Sequence, residues 1–299
     1  MAKKYLDPKA DVTFKKVFGE HKNLVISFLN ALLPLDPGKQ IESIEYMSPE
    51  LVPQTPTRKN TIVDVRCEET GGRKFLVEMQ MEWTTSFRQR VLFNASKAYV
   101  RQLPKGKDYE LLQPVYSLNL VNATFEPDLD EYYHYYSMVN YLHSDKVLEG
   151  LHLVFVELTK FKAKNLTDKK MQVLWLRFLT EISETTKEAP QDLVDNPQVN
   201  EALEIVEESA YSEEELYAYD EFWDAVSCEK TIAGDIERAR AAEKAKLDAA
   251  NAERDAANAE RDVALEKLRR SVRQMKADGM AVETIARYTC LTADEISAL

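Results

Sequence analysis

The stretch TIVDVRCEETGGRKFLVEMQ, residues 61–80, decides the reading of this chain. Two runs of alternating apolar and polar residues flank Gly71-Gly72, the pattern of a β-hairpin. With the turn centred on Gly71, paired residues sum to 142, so Asp64 faces Glu78 and Ile62 faces Gln80. The other face then carries Val63, Val65 and Cys67 against Met79, Val77 and Phe75, all apolar, as a core face requires. A one-residue slip would set Asp64 against an apolar side chain. Two ionised carboxylates about 5 Å apart repel by roughly 3 kcal/mol at an effective dielectric near 20. Protonation of one acid, nearby arginines or a bound divalent cation would offset that cost. A site offering only oxygen donors suits Mg²⁺ or Mn²⁺ better than Zn²⁺. The plainer alternative is a solvated outer hairpin face.

Outward from the hairpin, DPKADVTFKKVFGEHKNLVISFLNALLP at 7–34 reads as two helices. Phe14, Val17 and Phe18 form one stripe, and Leu24, Val25, Phe28, Leu29, Leu32 and Leu33 another, stopped by Pro34. A strand follows over 41–46, then a Pro-rich connection. Residues 86–103 have helical spacing at Val91, Leu92, Ala95, Ala98, Tyr99 and Leu103, closed by Pro104 and Gly106. Strands are expected over 114–122 and 151–158, with YYHYYSM at 132–138 as an edge or hairpin strand. Beyond about 168 the pattern is helical. The expected fold is α/β, a mixed sheet flanked by helices with a long helical tail. Its expected divisions are a core over 1–180, an acidic helical extension over 181–231, a long helix or coiled coil over 232–276, and a small docking or dimerisation element over 277–299.

The formal net charge of −12 disguises an uneven distribution. Sixteen acids and one base, Lys187, lie between Glu181 and Glu229, giving −15 there and +3 for the rest. From Thr84 to Lys107 there is no acid, but there are Arg88, Arg90, Lys97, Arg101, Lys105 and Lys107. Phosphate binding follows local patches rather than net charge. Arg88, Arg90, Lys97 and Arg101 are therefore candidate DNA contacts; an ordinary solvated helix face is the alternative. Cys67, Cys228 and Cys290 are scattered and odd in number, which suits a reducing cytoplasm. The four histidines lack metal-ligand spacing, and no run is long enough to span a membrane.

The tail repeats DAANAER at 248–254 and 255–261. Leu265, Leu268, Val272 and Met275 continue with coiled-coil spacing, while the upstream alanine seam would bury little surface. A homo-oligomer through these helices and a solitary helical spacer are both open. Near the end, Thr292 is placed to cap a last helix with Glu295 completing a capping box. Cys290 occupies a turn position better suited to glycine. The spacing is near that of a helix-turn-helix, but this element reads at least as well as a docking or dimerisation unit.

Several segments together resemble the bacterial PD-(D/E)XK nuclease family transposases, also called recombination-promoting nucleases. They are DVTFKKVFGE at 11–20, FLNALL at 28–33, IESIEYMSPE at 41–50, VDVRCEETGG at 63–72, VEMQ at 77–80, RQRVLFNASKAYVRQL at 88–103 and MKADGMAVETIA at 275–286. The resemblance implies a restriction-endonuclease-like core and a Mg²⁺- or Mn²⁺-dependent DNA endonuclease that promotes recombination. Asp64 and Glu78 would hold the metal, with support from Asp11; Asp11 as a mere helix cap is the alternative. Gln80 stands where the superfold usually has lysine, and Gln carries no charge. Lys59, Lys15 or Lys97 would have to compensate. Competing readings are a non-catalytic DNA-binding or assembly protein on a nuclease fold, a DNA-defence nuclease, and a scaffold using only the tail.

Overall fold

The computed structural model describes residues 4–51, 61–84, 86–103, 106, 108–163 and 170–299, with Leu51, Thr61 and Ile62 described by backbone alone. Lys59, Pro104, Lys105 and Lys107 lie outside these ranges. Helices α1 (Asp11–Glu20) and α2 (Lys22–Leu32) open the chain. Strands β1 (Ile44–Tyr46), β2 (Glu50–Leu51), β3 (Thr61–Ile62), β4 (Val65–Glu69) and β5 (Lys74–Gln80) follow, then α3 (Phe87–Val100) and β6 (Val115–Val121). A long hairpin of β7 (Tyr133–Asn140) and β8 (His143–Glu157) leads to α4 (Lys170–Glu181), α5 (Gln191–Val194) and α6 (Pro197–Ile205). The chain continues through α7 (Glu213–Ala277), α8 (Val282–Thr289) and α9 (Ala293–Ala298).

Six strands form one sheet in the order β1-β4-β5-β6-β8-β7, and β2 and β3 pair separately. The β5, β6 and β8 strands run parallel, while β1, β4 and β7 join antiparallel. The β4–β5 register matches the expected sum of 142: Val65 pairs with Val77, Arg66 with Leu76, Cys67 with Phe75 and Glu68 with Lys74. Gly72 has φ +87°, and a Cβ there would come within 3.0 Å of Gln113, so the turn requires its glycine. β8 begins earlier than its apolar pattern suggested, because the arm before Gly150 is solvent-exposed and lacks a core-facing signal.

Alternation along β4 and β5 separates two layers. Val65, Cys67, Phe75 and Val77 join Phe14, Phe18, Phe28 and Trp175 in the main core, under α1, α2, α4 and α6. On the opposite face Leu76 packs with Ala95 and Ala98 of α3, and Phe87 and Val91 meet Val121, Phe125 and Phe155. Those small alanines bring α3 close to the sheet, and through it the basic segment. Leu92, assigned to the apolar stripe from its spacing, is instead 49% exposed; Asn94 holds an inward position.

The chain divides into two compact units, 1–229 and 230–299, and α7 runs unbroken through the division. In the second unit Val272 is buried with Ile285 and Ile296, and Met275 packs beside them. Part of the expected coiled-coil seam is thus covered by α8 and α9 of the same chain. Thr292 and Glu295 form the expected capping box. Cys290 adopts φ +58°, the left-handed conformation that glycine accepts most easily. No helix among the described residues is long and apolar enough to cross a membrane.

Candidate active site

The β4–β5 ladder ends at Val65–Val77, so Asp64 lies in a bend just before β4. Released from the ladder, its carboxylate turns back onto the neighbouring strand, where Oδ2 accepts a hydrogen bond from the Met79 backbone N–H at 2.6 Å. Burial raises the Asp64 pKa from 3.8 to about 7, despite the Met79 hydrogen bond, and the charges of Asp11 and Glu78 push in the same direction as burial. Lys15 works against the rise. The same four groups therefore share one electrostatic neighbourhood, although they come from α1, the β4 approach and β5.

Glu78 is only 5% exposed and sits in the central sheet, paired in register with the buried Asn119 of β6. Burial raises its pKa, while an Asn94 hydrogen bond and the charge of Arg90 oppose the shift. Asn94 Nδ2 donates to Glu78 Oε1 at 2.9 Å, and Arg90 Nη2 lies 3.7 Å from Glu78 Oε2. Asn94 is 1% exposed and its Oδ1 accepts no hydrogen bond. This orphaned buried acceptor is a cost unless another donor arrives, such as a water held in the site.

Gln80 is held at both ends of its amide. Oε1 accepts from Arg90 Nη2 at 2.6 Å, and Nε2 donates to the Glu82 carbonyl at 2.8 Å. Arg90 thus bridges Gln80 and Glu78, bringing positive charge to a neutral strand position. Of the lysines considered as substitutes, Lys15 instead pairs with Asp11 at 2.8 Å, its charge favouring ionised Asp64, and Lys59 lies outside the described residues. Asp11 occupies the first turn of α1; the N-cap residue is Ala10, which has no side-chain cap.

The other basic residues divide. Arg88 pairs with Glu126 and lies over Trp83 and Phe125, 5.7 and 5.5 Å from their ring centroids. Lys97 lies 5.7 Å over Phe93, and Arg101 follows at the end of α3. Arg90, Asn94, Lys97 and Arg101 have spacings of four, three and four, which align them along one helix flank. Asn94 was legible only as a polar residue at a core position of that pattern; its contact with Glu78 required the packing of α3.

The acids offer oxygen donors in a desolvated setting, as a hard divalent cation requires. Among the described residues no three His, Cys, Asp or Glu side chains converge as a complete cage. The donor set fits an ion that keeps several waters and takes the rest of its ligands from substrate.

Neither a curated protein nor a solved structure matches the chain. The family model for PD-(D/E)XK nuclease family transposases matches residues 8–231, which include Asp11, Asp64, Glu78, Gln80 and the basic helix. With a mixed sheet flanked by helices and most of its length matched, the chain belongs to the PD-(D/E)XK nuclease family transposases.

Proposed function

We propose that the protein is a divalent-metal-dependent DNA endonuclease acting in recombination, with its centre at Asp64 and Glu78. The observation that carries this reading is the pair of desolvated acids at one end of β5, Asp64 shifted to about 7 and Glu78 with Arg90 3.7 Å away. Burying carboxylates costs stability, and strongly shifted acids in such settings cluster at functional sites.

In this reading Asp64 and Glu78 hold Mg²⁺ or Mn²⁺, and Asp11 adds a carboxylate from α1. A divalent ion bound there supplies Lewis-acid polarisation of the phosphate and lowers the pKa of an attacking water. The Met79 N–H fixes the direction of the Asp64 carboxylate, and Asn94 fixes that of Glu78. Arg90, steadied by Gln80, faces the phosphate and stabilises its developing charge. Lys97 and Arg101 continue the positive track for the DNA backbone, and Arg88 joins it at the Glu126 side. Asn94 Oδ1 accepts from an ordered water in the site.

Wild type and Glu78→Ala, incubated with supercoiled plasmid in Mg²⁺ or EDTA, test the reading. Nicking by wild type in Mg²⁺ alone is expected. DNA binding without cleavage would instead favour a non-catalytic protein on a nuclease fold.

A further inference from the structure

β7 is the outer strand of the six-stranded sheet, and among the described residues no strand pairs with its free edge. Exposed edges usually carry a lysine, a proline or a bulge that keeps other chains from adding to them. β7 reads YHYYSMVN over 133–140, with no proline and no acid, lysine or arginine. His134 is turned inward, its Nε2 2.8 Å from Glu157 Oε1. The register irregularities fall on the neighbouring strand: Ser137 pairs with His152 and Met138 with Leu148, then Val139 with Val147 and Asn140 with His143. The extra residues thus belong to β8, and β7 stays continuous. Past Ser137 the two strands leave the sheet as a hairpin arm, and the first seven residues of β8 are all exposed. Of the fourteen residues from Tyr135 to Leu148, eight are large apolar side chains at least 40% exposed, with Tyr141 at the tip reaching 96%. Their exposed fractions amount to between four and five whole side chains, on the order of 800 Å². The largest apolar patch on a typical monomer is about 300–600 Å². A two-stranded hairpin with no third element beside it is also marginally stable in water.

We propose that this arm and the β7 edge are the contact between two copies of the chain, joined antiparallel about a two-fold axis through β7 into one continuous sheet. An edge strand presents the same row of N–H and C=O groups in both copies, so the contact is self-complementary. The exposed area matches the about 800 Å² that each partner gives to a standard complex. Charge favours a second copy over DNA. The charged side chains of the arm are Asp145, Lys146 and Glu149; Lys146 pairs with Asp145 at 3.2 Å and Glu149 with His152 at 2.9 Å. The arm therefore offers no phosphate track and no single-sign field that would repel its own copy. It leaves the sheet beside the row of Lys74, Val115 and Leu151, whereas Glu78 lies toward the other end of β5. The contact is thus away from the acids and does not depend on the nuclease reading.

The test uses the full-length chain and two variants, Met138→Lys/Val139→Lys and Tyr141→Lys. Residues 138 and 139 face opposite sides of the arm, and lysines there meet like charges across the two-fold axis. Tyr141 is so exposed that it has no packing to lose. Sedimentation velocity gives the mass, and amide hydrogen exchange over 133–140 locates the contact. At about 100 µM, wild type should sediment at no less than twice the mass of one chain. Its β7 amides should exchange on the order of tenfold more slowly than in dilute protein. Met138→Lys/Val139→Lys should lose that extra protection and fall to half the wild-type mass, with tryptophan fluorescence unchanged. Tyr141→Lys should weaken association in the same direction. A monomeric wild type overturns the proposal. So does association that leaves β7 exchange unchanged, which would place the contact on another surface such as α7, and so does a double variant that associates like wild type.

Discussion

Replacing Asp64 with asparagine should stabilise the metal-free protein while removing nuclease activity. The isostere keeps an oxygen to accept the Met79 N–H but carries no charge. The Asp64 pKa rises from 3.8 to about 7 in the fold. Below pH 4 the acid is protonated in both folded and unfolded chains and costs nothing. Between pH 4 and 7 the unfolded chain releases the proton and the folded chain retains it, so stability falls with rising pH. Above 7 the penalty is constant. Three pH units correspond to a ceiling of about 4 kcal/mol. Asp64 keeps some solvent contact, and we halve the figure to about 2 kcal/mol for that screening. All three tryptophans, Trp83, Trp175 and Trp223, lie in the first unit, so urea unfolding followed by tryptophan fluorescence reports its stability selectively. In EDTA the advantage of Asp64→Asn should be near zero at pH 4 and about 2 kcal/mol at pH 8. Mg²⁺ at a hundredfold excess over its dissociation constant should add about 2.7 kcal/mol to wild type and much less to the variant. An asparagine variant that is less stable at pH 8, or equally offset at both pH values, would refute the reasoning.

Arg90→Gln should cut plasmid nicking at least about tenfold by removing the cation beside Glu78, yet destabilise in urea by only about 1 kcal/mol, because the arginine end of that ion pair is 48% exposed. Asn94→Ala should cost about 2 kcal/mol through loss of its hydrogen bond to buried Glu78. The same unfolding assay reads it, and no loss would mean that the contact contributes little. Cys290→Gly should stabilise the second unit by about 1 kcal/mol by relieving left-handed strain. Thermal melts monitored by far-ultraviolet circular dichroism should show the later transition.

The β4–β5 hairpin was legible because two local signals agree: glycines at the turn, and an apolar face that only one register preserves. That register extrapolates to Asp64 opposite Glu78, but the ladder stops one residue short, and Asp64 bonds to the Met79 backbone rather than across to Glu78. The cation beside Glu78 was not legible. Arg90 looked like one of several bases on a helix, and nothing within the helix says which base meets β5. That depends on how Ala95 and Ala98 seat α3 against Leu76, a long-range packing choice. Asn94 was hidden for the same reason. In the tail, the heptad spacing of Val272 and Met275 was real, but spacing cannot tell a partner chain from the α8–α9 pair that packs there.

The double tether of Gln80 makes positions 80 and 90 a coupled pair. Restoring lysine at 80 would not simply rebuild the commoner motif. It would place an ammonium where Arg90 now donates at 2.6 Å, exchanging an acceptor for a competing cation. In the proposed reading the charge comes from the helix rather than the strand, so a lysine at 80 would call for a compensating change at 90. Among members of this family, a neutral residue at the strand position is therefore a reason to look along the facing helix for a cation.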